Sequence, residues 1–304
     1  MTERITPAMV TSLTVNDLNS NLAALARTTD ELSSGRTILE PSDNPYGASQ
    51  VIDLQSQLDG LSSYASNAQD GITWENTASG AMASINEVVQ RTRELVVQAA
   101  NGTNNQTDLN AIATEVEQLT ESVKQDANTQ YAGQYLFAGT LTTTAPYMQG
   151  ANDEYQGNAE TVARAVGPGA SVTISTNIST LLGNGLASGD GKLLDTLRTI
   201  AQHLRGGTEE DRTALGTSDL HSLDTNLETL GQLEATAGSA TNQLQAALSR
   251  NEDLQTAITE ALANTDDTNI ASTSIAYSSE QAAYQAALHA GATIVQESLL
   301  NFLH

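Results

Sequence analysis

A heptad-like apolar repeat runs through residues 51–72, which read VIDLQSQLDGLSSYASNAQDGI. Its apolar positions are separated alternately by three and four residues: Val51, Leu54, Leu58, Leu61, Ala65, Ala68 and Ile72. On an α-helix this spacing gives one narrow seam, narrower than the apolar stripe of a helix that lies on a globular core. Ser42 is the predicted N-cap, and Pro45 suits the first turn, where its missing N–H has no cost. The pattern predicts a long helix from there to about residue 72, packed side by side with others.

Further helical stripes follow on both sides of a Gly- and Thr-rich stretch. Separate helices are predicted over about residues 82–99 and 109–123, joined by a turn that begins at Asn101-Gly102. A helix over about 194–204 is closed by Gly206-Gly207. A very long helical pattern then runs to about residue 264, and Thr208 with Asp211 three residues later resembles a capping box at its start. Between them, residues 162–175 alternate in the manner of a β-hairpin around Gly167-Pro168-Gly169-Ala170.

The two ends of the chain carry apolar seams that have no neighbouring partner in the sequence. The simplest way to bury both seams is to pair the first and last helices, and to complete the pair with neighbouring copies. Residues of these seams are the predicted assembly interface: Leu18, Leu22, Leu25, Leu32, Tyr277, Tyr284, Leu288, Val295 and Phe302.

These observations predict a mainly α fold. It is an elongated rod of long antiparallel helices, with paired N- and C-terminal helices and a small inserted β domain. The expected domains are a terminal coiled coil (1–40 with 266–304), a helical rod (41–139 with 190–265) and a small β-rich insert (140–189).

Composition excludes several classes of function. The chain has 12 basic and 36 acidic residues, hence a net charge of −24, which disfavours binding to nucleic acid phosphates. It has no cysteine, so thiol catalysis, disulfides and thiolate metal sites are excluded. No apolar run is long enough to span a membrane, and the first residues do not read as a Sec signal peptide. The four histidines are scattered, and we expect no catalytic residue, metal site or cofactor.

Three motifs carry a resemblance to a known protein family. Leu32-Ser33-Ser34-Gly35-Arg36 is similar to a Leu-Ser-Ser-Gly motif that flagellins share with hook–filament junction proteins. Pro41-Ser42-Asp43-Asn44-Pro45-Tyr46-Gly47-Ala48 resembles the junction proteins' Pro-Ser-Asp-Asp-Pro-x-Gly-Ala, with Asn44 in place of the usual Asp. Tyr131-Ala132-Gly133-Gln134-Tyr135-Leu136-Phe137-Ala138-Gly139 is similar to their Gly-x-Tyr-Leu-Phe-Ala-Gly. The resemblance covers roughly residues 1–139 and 190–304.

The resemblance implies a non-enzymatic structural adaptor of the bacterial flagellum. Such a protein leaves the cell through the flagellar type III export channel and forms a ring at the hook–filament junction, outside the cell. Its implied partners are the first hook-associated protein, flagellin, other copies of itself and a cytosolic export chaperone that binds the C-terminal helix. Two alternatives stay open: a minor flagellin of the filament, and a secreted adhesin-like protein that binds through the β insert.

Overall fold

The computed structural model describes residues 7–102, 104–150, 154–185 and 188–302, with side chains described from residue 9 to residue 293 within these ranges. Its helices are α1 (Pro7–Ser34), α2 (Pro45–Ala100), α3 (Gln106–Ala127), the one-turn α4 (Ser179–Leu182), α5 (Leu193–Gly206), α6 (Glu209–Ala214), α7 (Leu220–Asp266) and α8 (Ile270–Phe302). Two short antiparallel pairs of strands accompany them: β1 (Gln130–Tyr131) with β2 (Gln134–Tyr135), and β3 (Ala163–Gly167) with β4 (Ala170–Thr173). The predicted class, long helices with a small β region, is confirmed.

Helix α2 differs from the prediction at its start and in its length. The Asn44 side chain accepts a hydrogen bond from Gly47 N at 2.9 Å, so Asn44 is the N-cap and the prediction of Ser42 was wrong. Pro45 is the first helical residue, so it lies in the first turn, where the sequence had placed it. The two predicted segments, 45–72 and 82–99, form one helix of 56 residues. Gly71 does not interrupt it, because the absence of a side chain there lets Leu244 of α7 pack closely.

The long helical pattern after Thr208 is confirmed, with one irregularity. Thr208 and Asp211 form the predicted capping box at the start of α6. A π-helical turn, Leu215–Asp219, separates α6 from α7, and the buried carboxylate of Asp219 lies 2.7 Å from His203 Nδ1 of α5. A π turn inserts one extra residue into the helix, which in this chain brings Asp219 next to α5.

The described chain divides into two compact units. Unit 1 contains Met1–Gly60 and Leu254–His304, and unit 2 contains Leu61–Asp253. Helices α2 and α7 contribute to both units. The division into three domains stays a prediction.

Unit 2 has a continuous apolar core between α2, α3, α5 and α7. Ion pairs at the rim connect the helices: Arg91 with Glu115 joins α2 to α3, and Arg93 with Asp224 joins α2 to α7. The core contains large apolar side chains from every one of these helices, among them Trp74, Met82, Ile85, Val96, Leu109, Val116, Leu194, Leu197, Leu204, Leu223, Leu230 and Leu244.

The hairpin predicted in the insert is confirmed as β3 and β4, which pair in antiparallel register with Arg164 opposite Val172. Arg164 also forms an ion pair with Asp70 of α2 at 2.9 Å, and Asn251 of α7 donates a hydrogen bond to the carbonyl of Val166 at 3.1 Å. The hairpin therefore rests on the helices. The other described residues of 140–189 form turns and the short α4 rather than further strands.

Candidate assembly site

Helices α1 and α8 pack against each other in unit 1, in antiparallel directions. Thr28 Oγ1 of α1 donates a hydrogen bond to Glu280 Oε2 of α8 at 2.6 Å. Further along the pair, the backbone of Gly291 lies so close to α1 that an added Cβ would meet Thr14 Cγ2 at 3.2 Å. The predicted pairing of the terminal helices is present in the fold.

The pair buries little apolar surface by itself. Among the described side chains of α1 and α8, no apolar side chain is fully buried; the buried side chains there are those of Thr28 and Thr273. Unit 2, by contrast, encloses a large core. Half-exposed apolar side chains on a pair of helices become buried when other helices cover the pair, so the α1–α8 pair is the candidate assembly surface.

The predicted interface residues fall into three groups. Leu18, Leu25, Leu32, Tyr277 and Tyr284 are half-buried. Leu22 and Leu288 are exposed, at 48% and 46%. The side chains of Val295 and Phe302 are outside the described part of the structure. That these residues contact another subunit stays a prediction.

The structure adds exposed apolar residues that the sequence reading missed. On α1 they are Met9, Leu13 and Val15, and on α8 they are Ile270 and Ile275. Val15 and Ile270 continue the predicted seams, seven residues before Leu22 and Tyr277, whereas Met9, Leu13 and Ile275 lie off these heptad positions. Extending each seam by one repeat toward the start of its helix is the signal that could have revealed Val15 and Ile270.

A buried carboxylate joins the loop after α1 to the loop before α8. Asp266 accepts a hydrogen bond from Arg36 Nε and another from Ile38 N at 3.2 Å. Its side chain is 4% exposed. The backbones of the two loops also pair, Thr37 N with the Asp266 carbonyl and Thr268 N with the Gly35 carbonyl at 2.9 Å. We call this cluster the Asp266 clamp; it orients the two terminal helices at their shared base.

The first two sequence motifs build this base. Gly35 ends α1 in the left-handed conformation, with φ of +72°, while Ser33 and Ser34 are exposed. In the second motif Ser42 is exposed, and Asp43 accepts hydrogen bonds from the backbone N–H groups of Leu39 and Glu40 at 3.3 and 3.1 Å. These residues shape the loop that leads into Pro45.

The third motif belongs to unit 2 and is also architectural. Ala132 and Gly133 make the tight turn between β1 and β2, both with positive φ, and Tyr135 is half-buried in β2. Leu136 and Phe137 are fully buried, and Tyr155 donates a hydrogen bond to the Phe137 carbonyl at 2.8 Å. Leu136 and Phe137 of this motif thus belong to the apolar core of unit 2.

The described residues contain neither a metal-binding cluster nor a membrane-spanning helix. Within the ranges that the structure covers, no three His, Asp or Glu side chains gather as a metal ion requires. No described helix has the length and apolarity needed to cross a membrane.

Comparison with known proteins agrees with this architecture. The family model described as the bacterial flagellin N-terminal helical region matches residues 5–142. A flagellin of Salmonella muenchen is 38% identical over 154 residues, which is 50% of this chain and 30% of that protein. The chain spans less than half the length of the curated flagellins that it matches.

Two solved structures share the fold. FlgL of Bacillus cereus aligns with 69% of this chain and 99% of its own length, with a TM-score of 0.58 and 22% identity. The flagellar junction protein FlgL of Legionella pneumophila aligns over 73% and 100% of the two chains, with a TM-score of 0.58 and 14% identity. The chain is thus similar to flagellins in its N-terminal helical region, and it shares its fold with the two FlgL structures.

Proposed function

We propose that this chain is a structural adaptor that joins the flagellar hook, through the first hook-associated protein, to the flagellin filament. The observation that supports this proposal is the difference between the two units in how well their apolar side chains are buried. Unit 2 is a finished domain with its own core, whereas the α1–α8 pair leaves its apolar residues half-exposed or exposed. A subunit that ends in such a pair gains stability only when neighbouring subunits cover it.

The choice of the junction over the filament rests on the motifs and on the fold. The Pro-Ser-Asp-Asn-Pro and Leu-Phe-Ala-Gly residues resemble the junction proteins, and so does the fold. In this role the chain leaves the cell by the flagellar type III route, with a chaperone on its C-terminal helix, and assembles as a ring. Its work is mechanical, through helix contacts along and around the ring, and involves no catalysis.

A gene deletion examined by electron microscopy tests the proposal. We expect hooks without filaments, with flagellin shed into the medium. Complementation with Leu22→Ser or Leu288→Ser should fail to restore filaments, because each change places a hydroxyl in the predicted interface. Leu254→Ser on α7 is the matched control, since Leu254 is 45% exposed but lies outside α1 and α8, and it should restore filaments. Restoration by all three variants would contradict the interface.

A minor flagellin is the second candidate, favoured by the sequence matches to flagellins. This alternative predicts that the deletion strain still grows filaments. It also predicts that the purified chain polymerises by itself into long filaments. Either result would replace the junction role.

A further inference from the structure

Glu75 of α2 is a buried carboxyl group that no other side chain compensates. It is 2% exposed, and its Oε2 atom has no hydrogen-bond partner. The indole Nε1 of the adjacent Trp74 is likewise buried and unpartnered. An ionised carboxylate in such a place forfeits its hydration without gaining a cation or donors, whereas a protonated carboxyl loses much less.

The packing around Glu75 offers no counter-charge. Glu75 follows Gly71 by one helical turn, on the face of α2 that packs against Leu244 of α7. Helix α7 has no charged residue between Glu234 and Arg250, so this face of α2 meets a neutral segment.

The other ionisable groups in this region are already engaged or are acidic. Asp70 on α2 itself is paired with Arg164 of β3, whose guanidinium carbon lies 6.0 Å from the centre of the Trp74 ring. At the end of α3, Asp126 is a half-buried acid, and Tyr131 of β1 meets the Trp74 ring edge to face. None of these supplies a free cation to Glu75.

We propose that unit 2 reaches its full stability only when Glu75 carries a proton, so that the stability of this unit falls when Glu75 is ionised. Burial raises the pKa of Glu75 to about 8. In an unfolded chain the pKa of a glutamate is about 4.3. Because the folded pKa is the higher one, the penalty is absent below about pH 4.3, grows as the pH rises toward 8, and then levels off.

Urea unfolding of the full chain tests this inference, with the fluorescence of Trp74 as the signal. Trp74 is the single tryptophan of the chain and neighbours Glu75, so it reports on the core of unit 2. We expect the folding equilibrium constant of the wild type to fall by up to about tenfold per pH unit, and by about four-hundredfold between pH 5 and pH 8. Glu75→Gln should match the wild type at pH 5 and lose this fall.

Glu87→Gln is the matched control, because Glu87 is exposed on the same helix and its substitution removes the same charge. It should keep the wild-type pH profile. A Glu75→Gln profile parallel to that of the wild type would overturn the inference. Should Glu75→Gln fail to fold, the wild type and Glu87→Gln still decide the matter, since a flat profile between pH 5 and pH 8 contradicts a buried ionisable carboxyl. These unfolding measurements do not depend on the proposed junction role, so a failure of that role and a failure of the Glu75 inference can be told apart.

Discussion

Gly139 shows how one residue can fix a local fold. Its φ of +65° is a conformation that costs other L-residues about 1–2 kcal/mol, and a Cβ there would lie 2.4 Å from the Asn158 carbonyl oxygen. We expect Gly139→Ala to lower the free energy of unfolding of unit 2 by clearly more than that conformational cost. Urea unfolding followed by Trp74 fluorescence measures the change.

Gly133 provides the control for this prediction. Its φ is +78°, but a Cβ there would meet nothing within 4 Å. Gly133→Ala should therefore lower the free energy of unfolding by the conformational cost alone, about 1–2 kcal/mol. Equal losses from the two substitutions would show that crowding against Asn158 has no effect.

For single residues, the sequence predicted the backbone conformation better than it predicted burial and neighbouring side chains. A turn at Gly167-Pro168-Gly169 and a cap at Thr208 depend on neighbouring residues in the chain, and both are confirmed. The N-cap of α2 was misplaced because Ser42 and Asn44 are both good caps, and the preference of Pro45 for the first helical position, which points to Asn44, was given too little weight. The burial of Glu75 depends on residues of α7 that are far away in sequence, so the heptad pattern gave no sign of it.

For the helices, the sequence predicted that α1 and α8 pair, but it did not predict that α2 is one unbroken helix. The matched seams at the two ends predicted that α1 and α8 pair, because neither has a local partner. The break predicted inside α2 does not exist, and of Gly71 and Gly80, which lie near it, only Gly71 is closely packed, against Leu244 of α7. The Asp266 clamp was missed because Asn264-Thr265-Asp266-Asp267 reads only as a helix end, and its partner Arg36 lies in another loop.

The Asp266 clamp gives a prediction about how the terminal helices are joined. Asp266→Asn keeps an oxygen for Ile38 N but presents an amide to Arg36, so the charge-assisted bond is lost. We expect a local loss of about 1–3 kcal/mol, because Asp266 is buried whereas Arg36 can recover solvent. Amide hydrogen exchange of residues 35–38 and 266–269 should become faster.

Asp267→Asn is the companion substitution for this measurement. Asp267 follows Asp266 directly but is exposed, so its neutralisation should leave the same amides protected. If both substitutions accelerate exchange equally, the effect comes from loss of charge in the loop and not from the clamp.

For the whole molecule, charge imbalance decides the response to salt. Even if each of the 12 basic residues paired with one acid, 36 − 12 = 24 acidic residues would remain without a cation. Repulsion among these acidic residues opposes folding, whereas each surface ion pair contributes only about 0–1 kcal/mol to stability.

Raising NaCl from about 0.01 to 0.1 M shortens the screening length from about 30 to 10 Å. This weakens the repulsion between distant charges more than the attraction within ion pairs at about 3 Å. We therefore expect the midpoint of thermal unfolding, followed by circular dichroism, to rise over this range at pH 7. The rise should shrink at pH 4.5, where many carboxylates begin to take up protons. A midpoint that falls with added salt would mean that ion pairs such as Arg205–Glu117 outweigh the repulsion.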